Sequence, residues 1–295
     1  MIDGKLYGIP AQASASLLFY NATWATELGF SSVPTTTTEF RAQVCAANAS
    51  FRNDNDRLND GMGGWLISKD ASVWLNWLKV FQAVESNAPI EQLSTLKTQA
   101  AFEYLFNLQK DACAWEGRLP EPYDYFATRQ TLMYSGTPQD IAPQAAAFDR
   151  SGSQDQWQMI LYPSGSDPKM LIEELSYGVM KTDEANQLAS WLFIRWLSKP
   201  ENQVRLLKPM GSFPLGTGAR SGIADYQAAS PKWGEATSLL PFGTALPPQS
   251  DEAIIRMVLA DAGAYLLKPE FTIDQVPALL QDLDATVAEL VEAQP

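Results

Sequence analysis

The side chains that could do chemistry are few in kind. The 295-residue chain has no histidine, which takes away the commonest general base and the commonest metal ligand and weakens most hydrolase and metalloenzyme readings. Carboxylates are plentiful, and Glu116, Glu121, Glu173 and Glu174 are the candidates for acid–base work on a glycosidic bond. No spacing pairs two of them across a cleft. Asp54, Asn55 and Asp56 lie in a polar run from Asn53 to Gly64 that invites a calcium reading. An EF-hand loop needs a Gly at its turn and a closing Glu, and neither is in place, so a solvated loop is expected. Gly216-Thr217-Gly218 leads to no completed phosphate loop. The two cysteines, Cys45 and Cys113, are either two buried thiols or one bond between neighbouring helices; the residues alone leave both open.

Charge narrows the partners further. Lys and Arg number 21 against 34 Asp and Glu, a net charge of −13. That balance argues against nucleic acid and against an anionic membrane, both of which want a basic face. No apolar run approaches the roughly 18 residues of a membrane helix, and no basic segment followed by an apolar one opens the chain, so no signal peptide is visible. At 46% hydrophobic residues the chain can build one large or two medium α/β domains.

The elements that must position any site begin with Gly4 to Asn21. Lys5 to Pro10 reads as a short strand closed by a proline, and Leu17-Leu18-Phe19-Tyr20 as a strand buried on both faces. The small residues Ala11 to Ser16 between them read as a flexible crossing between two lobes. Pro34 followed by Thr residues starts a helix that buries Phe40, Val44 and Cys45. Gly64 to Ile67 is a strand, Ser72 to Leu78 opens a helix, and Ser94 to Ala112 is another. Tyr125 to Gly136 is a helix turning into a strand, and Trp157 to Pro163 and Leu175 to Met180 are further strands. The clearest helix is capped by Thr182, with Ala185, Leu188, Ala189, Leu192 and Trp196 as its buried stripe and Lys199-Pro200 as its stop. Ser250 and Thr272 cap the last two helices.

Five of these segments, in order, resemble the extracellular solute-binding proteins of ABC importers, the sugar-binding family that includes maltose-binding protein. They are Gly4-Lys5 with Tyr7-Gly8 and Pro10 ahead of Tyr20-Asn21; Pro34 to Phe40; Tyr125 to Gly136; Trp157 to Pro163; and Glu184 to Gln203 followed by Gly211-Ser212-Phe213-Pro214. The last is the most specific. The pattern departs twice: Thr stands where the family has Trp before its "DEF", and Thr137-Pro138-Gln139 replaces a Trp expected after Gly136.

The resemblance implies a two-lobed α/β fold of the periplasmic-binding-protein type II, with the first lobe incomplete. Residues 1–13 and 163–215 would be a remnant of the N-terminal lobe, and 14–162 and 216–295 the C-terminal lobe, with crossings near 10–16, 160–166 and 212–218. Because the crossing comes so early, the chain reads as a fragment or a gene model started too far downstream, prone to aggregation through unpaired edges. The function implied is capture of a small solute (a sugar by default, otherwise a polyol or glycerol phosphate) and delivery to a membrane permease, by a monomer, outside the cytoplasm, without a cofactor and without catalysis. Such a compartment favours the Cys45–Cys113 bond. Ser14, Ser72, Trp74, Thr137, Gln139, Tyr177 and Arg256 are the expected cleft residues, with Trp74 stacking on the ligand and Trp77 in the core. The rival readings are a carbohydrate-active hydrolase and a sensor or adaptor that keeps the fold.

Overall fold

The computed structural model describes residues 8–85, 88–215 and 222–293. Its framework is a five-stranded sheet of order β4-β3-β5-β2-β6, formed by β2 (Leu17–Asn21), β3 (Gly63–Leu66), β4 (Ala114–Trp115), β5 (Thr131–Gly136) and β6 (Trp157–Ile160). β3 runs parallel to β4 and β5, whereas β2 is antiparallel to β5 and β6. Every residue of β2 is buried, and the pleat divides them. Leu18 and Tyr20 enter one core with Trp65 and Met133, while Leu17 and Phe19 enter another with Leu66 and Tyr134. Burial pushes the Tyr20 hydroxyl up to about 12.

Helices cover both faces. The first core is closed by α2 (Thr37–Arg52), α3 (Ala71–Val80), α4 (Leu96–Lys110), α11 (Glu252–Leu266) and α12 (Val276–Glu292); the second by α5 (Tyr123–Ala127), α6 (Ile141–Ser151) and α10 (Pro231–Ser238). The start of α2 is a reciprocal cap: the Thr36 hydroxyl accepts from the Glu39 N–H at 3.2 Å, and the Glu39 carboxylate accepts from the Thr36 N–H at 3.0 Å. Cys45 on α2 and Cys113 just before β4 form a disulfide with their Cα atoms 4.3 Å apart. In the 53–64 loop, Asp54 and Asp56 accept from backbone N–H groups two residues on, at 2.6 and 2.9 Å, so their carboxylates shape turns.

A smaller sheet, β1-β7-β8, comprises β1 (Ile9–Ala15), β7 (Met170–Tyr177) and β8 (Gly243–Thr244). Here and in the helices that follow, the sequence expectations need five corrections. The residues read as a flexible crossing are strand: Ala11 to Ala15 belong to β1, paired antiparallel to β7, and only Ser16 separates β1 from β2. Their small side chains suit a tight ladder, and the register slips between Pro10 and Gln12, where the proline lacks a donor. The first half of the strand expected over Lys5 to Pro10 lies outside the described residues. β7 starts five residues before the expected Leu175 and ends at Tyr177, because Met170 and Leu171 pair with β8 and Ile172 to Tyr177 pair with β1.

The third correction concerns α7 (Glu184–Leu197). Asp183, not Thr182, caps it, accepting from the Asn186 N–H at 3.0 Å. The fourth is its stripe, which is not buried. Leu188 is 57% exposed, Leu192 51% and Trp196 48%, and Ala185 and Ala189 are exposed too; Ile194 and Leu197 alone are buried in this helix. Periodicity tells which side of a helix is apolar, and packing decides whether anything covers it. Asp251 likewise takes the cap position of α11 in place of Ser250.

Candidate functional site

The three parallel strands of the larger sheet all end at one cavity of about 500 Å³. Ile67 to Asp70 follow β3, Glu116 and Gly117 follow β4, and Thr137 follows β5, so the cavity occupies the crevice beyond the carboxyl ends of parallel strands, where α/β sheets hold ligands. Leu119 to Pro122 form one wall. Ser16, at the passage from β1 to β2, and Glu173, on β7, bring the smaller sheet to the same space.

A hydroxyl relay lies beneath it. Ser16 Oγ and Tyr162 Oη are 2.9 Å apart, Tyr162 Oη donates to Ser135 Oγ at 2.8 Å, and Trp65 Nε1 donates to the same Oγ at 3.3 Å. Burial drives the Tyr162 hydroxyl far above its ordinary value, so it works as a neutral donor. Tyr134, next to Ser135 on β5, packs in the second core, stacked on Phe19 with ring centres 4.5 Å apart. Among the described residues its hydroxyl has no hydrogen-bond partner, and burial raises it too.

Charged groups rim the space. Lys69 Nζ is 2.9 Å from Glu116 Oε2. Arg256 on α11 reaches Glu173 Oε1 at 2.8 Å, Glu252 Oε1 at 3.0 Å and Ser72 Oγ at 3.3 Å. Asp140 is committed locally: it accepts from the Thr137 N–H and Oγ1 at 2.7 and 2.9 Å and from Tyr123 Oη at 2.6 Å. Asp70 caps α3 by accepting from the Ser72 N–H at 2.7 Å.

The expected cleft residues separate into three groups. Ser72 and Thr137 line the cavity. Ser14, Gln139 and Arg256 stand at its edge: Ser14 Oγ donates to Gln139 Oε1 at 2.8 Å, and Ser14 pairs in register with Glu173. Trp74 and Tyr177 are elsewhere. Tyr177 pairs with Ile9 at the far end of β7. Trp74 is 2% exposed and packs on Phe102, centroids 5.4 Å apart, against the bare backbone of Gly263, where a Cβ would come within 2.1 Å of the indole. Ser72 faces the cavity, and two residues on at 100° each Trp74 lies on roughly the opposite side of α3. The stacking role expected of Trp74 is therefore corrected to a core role, shared with the fully buried Trp77.

Lys69, Asp70, Tyr134, Ser135, Ser16 and Tyr162 were not expected. The first four belong to parallel strands or the turns after them, so placing each strand's carboxyl end was the signal available. Three of the four candidate acids, Glu116, Glu121 and Glu173, meet in the cavity although no sequence spacing joins them.

Among solved structures, the sugar-binding protein MalE from Xanthomonas citri superposes with a TM-score of 0.76 at 19% identity, covering 100% of this chain and 75% of its own. UgpB from Mycobacterium tuberculosis in complex with glycerophosphocholine gives 0.76 at 15%, covering 99% and 73%. Lmo0181 from Listeria monocytogenes in complex with cycloalternan gives 0.76 at 16%, covering 100% and 74%. At these identities the likeness shows the fold: the two-lobed α/β architecture, of which this chain spans about three quarters of the solved chains' length. No curated protein matches the sequence. The profile described as "Bacterial extracellular solute-binding protein" matches residues 1–235, and the chain belongs to that family.

Proposed function

We propose that this chain is the substrate-binding component of an ABC importer, which takes a small polyhydroxylated solute into the cavity at the strand ends and presents it to a membrane permease. The observation that carries the reading is the cavity's double ownership: strand ends of the larger sheet supply most of the wall, and Ser16 and Glu173 come from the crossing and the smaller sheet. A solute touching both parts favours the arrangement that brings them together, and a permease can read that arrangement. The lobes divide as residues 1–13 with 163–215 and 14–162 with 216–295, of which 1–7, 86–87, 216–221 and 294–295 lie outside the described residues, and the chain passes between them near 10–16, 160–166 and 212–218, the first passage running along the paired strand β1. The disulfide fits an oxidising, extracytoplasmic compartment. Solved relatives in complex with cycloalternan and with glycerophosphocholine mark the range of solutes to try.

The meeting of Glu116, Glu121 and Glu173 favours a second reading, hydrolysis of a glycosidic bond. Against it, Glu116 is engaged by Lys69 and Glu173 by Arg256, so neither carboxyl is placed as a free proton donor.

Calorimetric titration with a panel of sugars, polyols and glycerol phosphate, with product assayed in the same samples, tests both. Saturable binding without product is the expected result, and Ser135→Ala, which breaks the relay beneath the cavity, should weaken it about five- to tenfold, the worth of a hydrogen bond. Turnover of any panel member would overturn the binding-protein reading.

A further inference from the structure

The exposed stripe on α7 has a pattern of its own. Ala185, Leu188, Leu192 and Trp196 are spaced three and four apart, the spacing of a seam that one helix presents to another. Ile194 and Leu197 hold the helix to the rest of the chain by its opposite side. Trp191 and Phe193 flank the seam, and Phe193 is stacked on Trp196 with ring centres 6.2 Å apart, so that aromatic edge is already ordered. The five large side chains, Leu188, Trp191, Leu192, Phe193 and Trp196, are each about half exposed. Together they offer roughly 500 Å² of apolar surface per copy, and about twice that is where specific interfaces begin. No residue of α7 lines the cavity, so a partner seated here leaves the solute site open.

The charges beside the seam say which partner fits. Glu184 and Arg195 are exposed and in no ion pair among the described residues. Acid at the start and base at the end suit the dipole of any helix. Here the two also share one flank of the seam, about 20° apart round the helix and about 16 Å apart along it. That separation is too long for them to pair within one copy. A second α7, turned end for end about a two-fold axis level with Ser190, sets its Arg195 against Glu184, its Leu192 against Leu188 and its Trp196 against the small Ala185. Each of these pairs occurs twice, because the axis repeats it. The face is thus complementary to itself, whereas a net charge of −13 disfavours an anionic membrane as its cover.

We propose that α7 is the contact of a closed homodimer, in which two copies pack their apolar seams antiparallel and Glu184 of each faces Arg195 of the other. A dimer takes the place of the monomer expected from the sequence, and it does not depend on the solute-binding reading.

Sedimentation equilibrium of the full chain at about 0.1 M salt, where neighbouring surface charges still act, should show association that stops at two copies. Glu184→Arg and Arg195→Glu should each weaken the dimer about tenfold, because each sets two like-charged pairs across the axis. The double variant, Glu184→Arg with Arg195→Glu, should return to within about threefold of the native dimer. Both of its charges oppose the helix dipole, so that recovery cannot come from a more stable helix. An equal mixture of the two single variants should form a mixed dimer tighter than either variant forms alone. A chain that is monomeric at every concentration leaves α7 to some other cover and overturns the homodimer. Oligomers that grow beyond two copies, or a dimer that both single reversals leave unmoved, overturn it as well.

Discussion

Residue by residue, two side chains show how burial reassigns a role. Trp74 has the type and the helix-entry position of a stacking ring, yet it is sealed between Phe102 and Gly263. Trp74→Ala should therefore cost stability, about 3–5 kcal/mol by the usual penalty for a large cavity, and should leave the affinity of the folded fraction unchanged. Urea unfolding with titration on the same sample checks it, and lost affinity at unchanged stability would return Trp74 to the ligand. Asp155 shows the electrostatic counterpart. Its carboxyl is 8% exposed and held below its ordinary value of 3.8 first by the Arg129 guanidinium, at 2.7 Å, and also by Asn21 Nδ2 at 2.7 Å. Arg129 also binds Glu27, so one guanidinium joins α1 (Ala22–Glu27), the turn before β5 and the loop before β6. A carboxyl depressed in the folded state contributes stability that is present above its unfolded value and lost as pH falls through the folded one. Denaturant midpoints at about pH 6 and pH 3 should fall steeply for the native protein and less steeply for Asp155→Asn, whose midpoint at pH 6 is already lower. Parallel pH dependence of the two would remove Asp155 from that role.

Among the elements, the ends of strands mattered more than their middles. β2 was legible because an unbroken apolar run of strand length means burial on both faces, and β2 is buried throughout; β5 was legible because Tyr125 to Gly136 resembles a family segment. The Thr36 cap and the Thr272 start were legible because capping is local: Thr36 meets Glu39, and Thr272 donates to Gln275 at 2.8 Å. β1 was hidden because Ala11 to Ala15 have the small side chains of a linker, and only pairing with β7 makes them strand. The site suffered from the same limit. Ser72 and Thr137 were found from strand-end and helix-entry positions, whereas Lys69, Asp70, Glu116 and Glu121 converge only because β3, β4 and β5 lie parallel and in register.

For the molecule as a whole, α7 is thinly covered. Leu188, Trp191, Leu192, Phe193 and Trp196 crowd α7, with Trp191 46% and Phe193 59% exposed, and Met180 just upstream is 83% exposed. About a quarter of each solved chain lies outside the part this chain matches. An apolar patch of this kind drives association. Sedimentation should show the chain alone self-associating in a concentration-dependent way, and Leu188→Glu with Leu192→Glu should suppress it without lowering the melting temperature, because those side chains contribute little to the core. A chain that stays monomeric at high concentration would contradict this.

What the sequence by itself determined is what local chemistry and pattern can carry: an α/β chain of acidic charge, without histidine, whose helix caps, buried strands and ordered motifs resemble one family. The tertiary structure alone decided which apolar stripe is covered, as α2's is and α7's is not. It also decided that Trp74 serves the core and that Asp70, Glu121 and Tyr134 face one cavity. The reason is physical. Caps and periodicities act over a few residues, whereas burial and charge convergence depend on strand order, in which β3, β4 and β5 bring together residues up to about seventy positions apart in the chain.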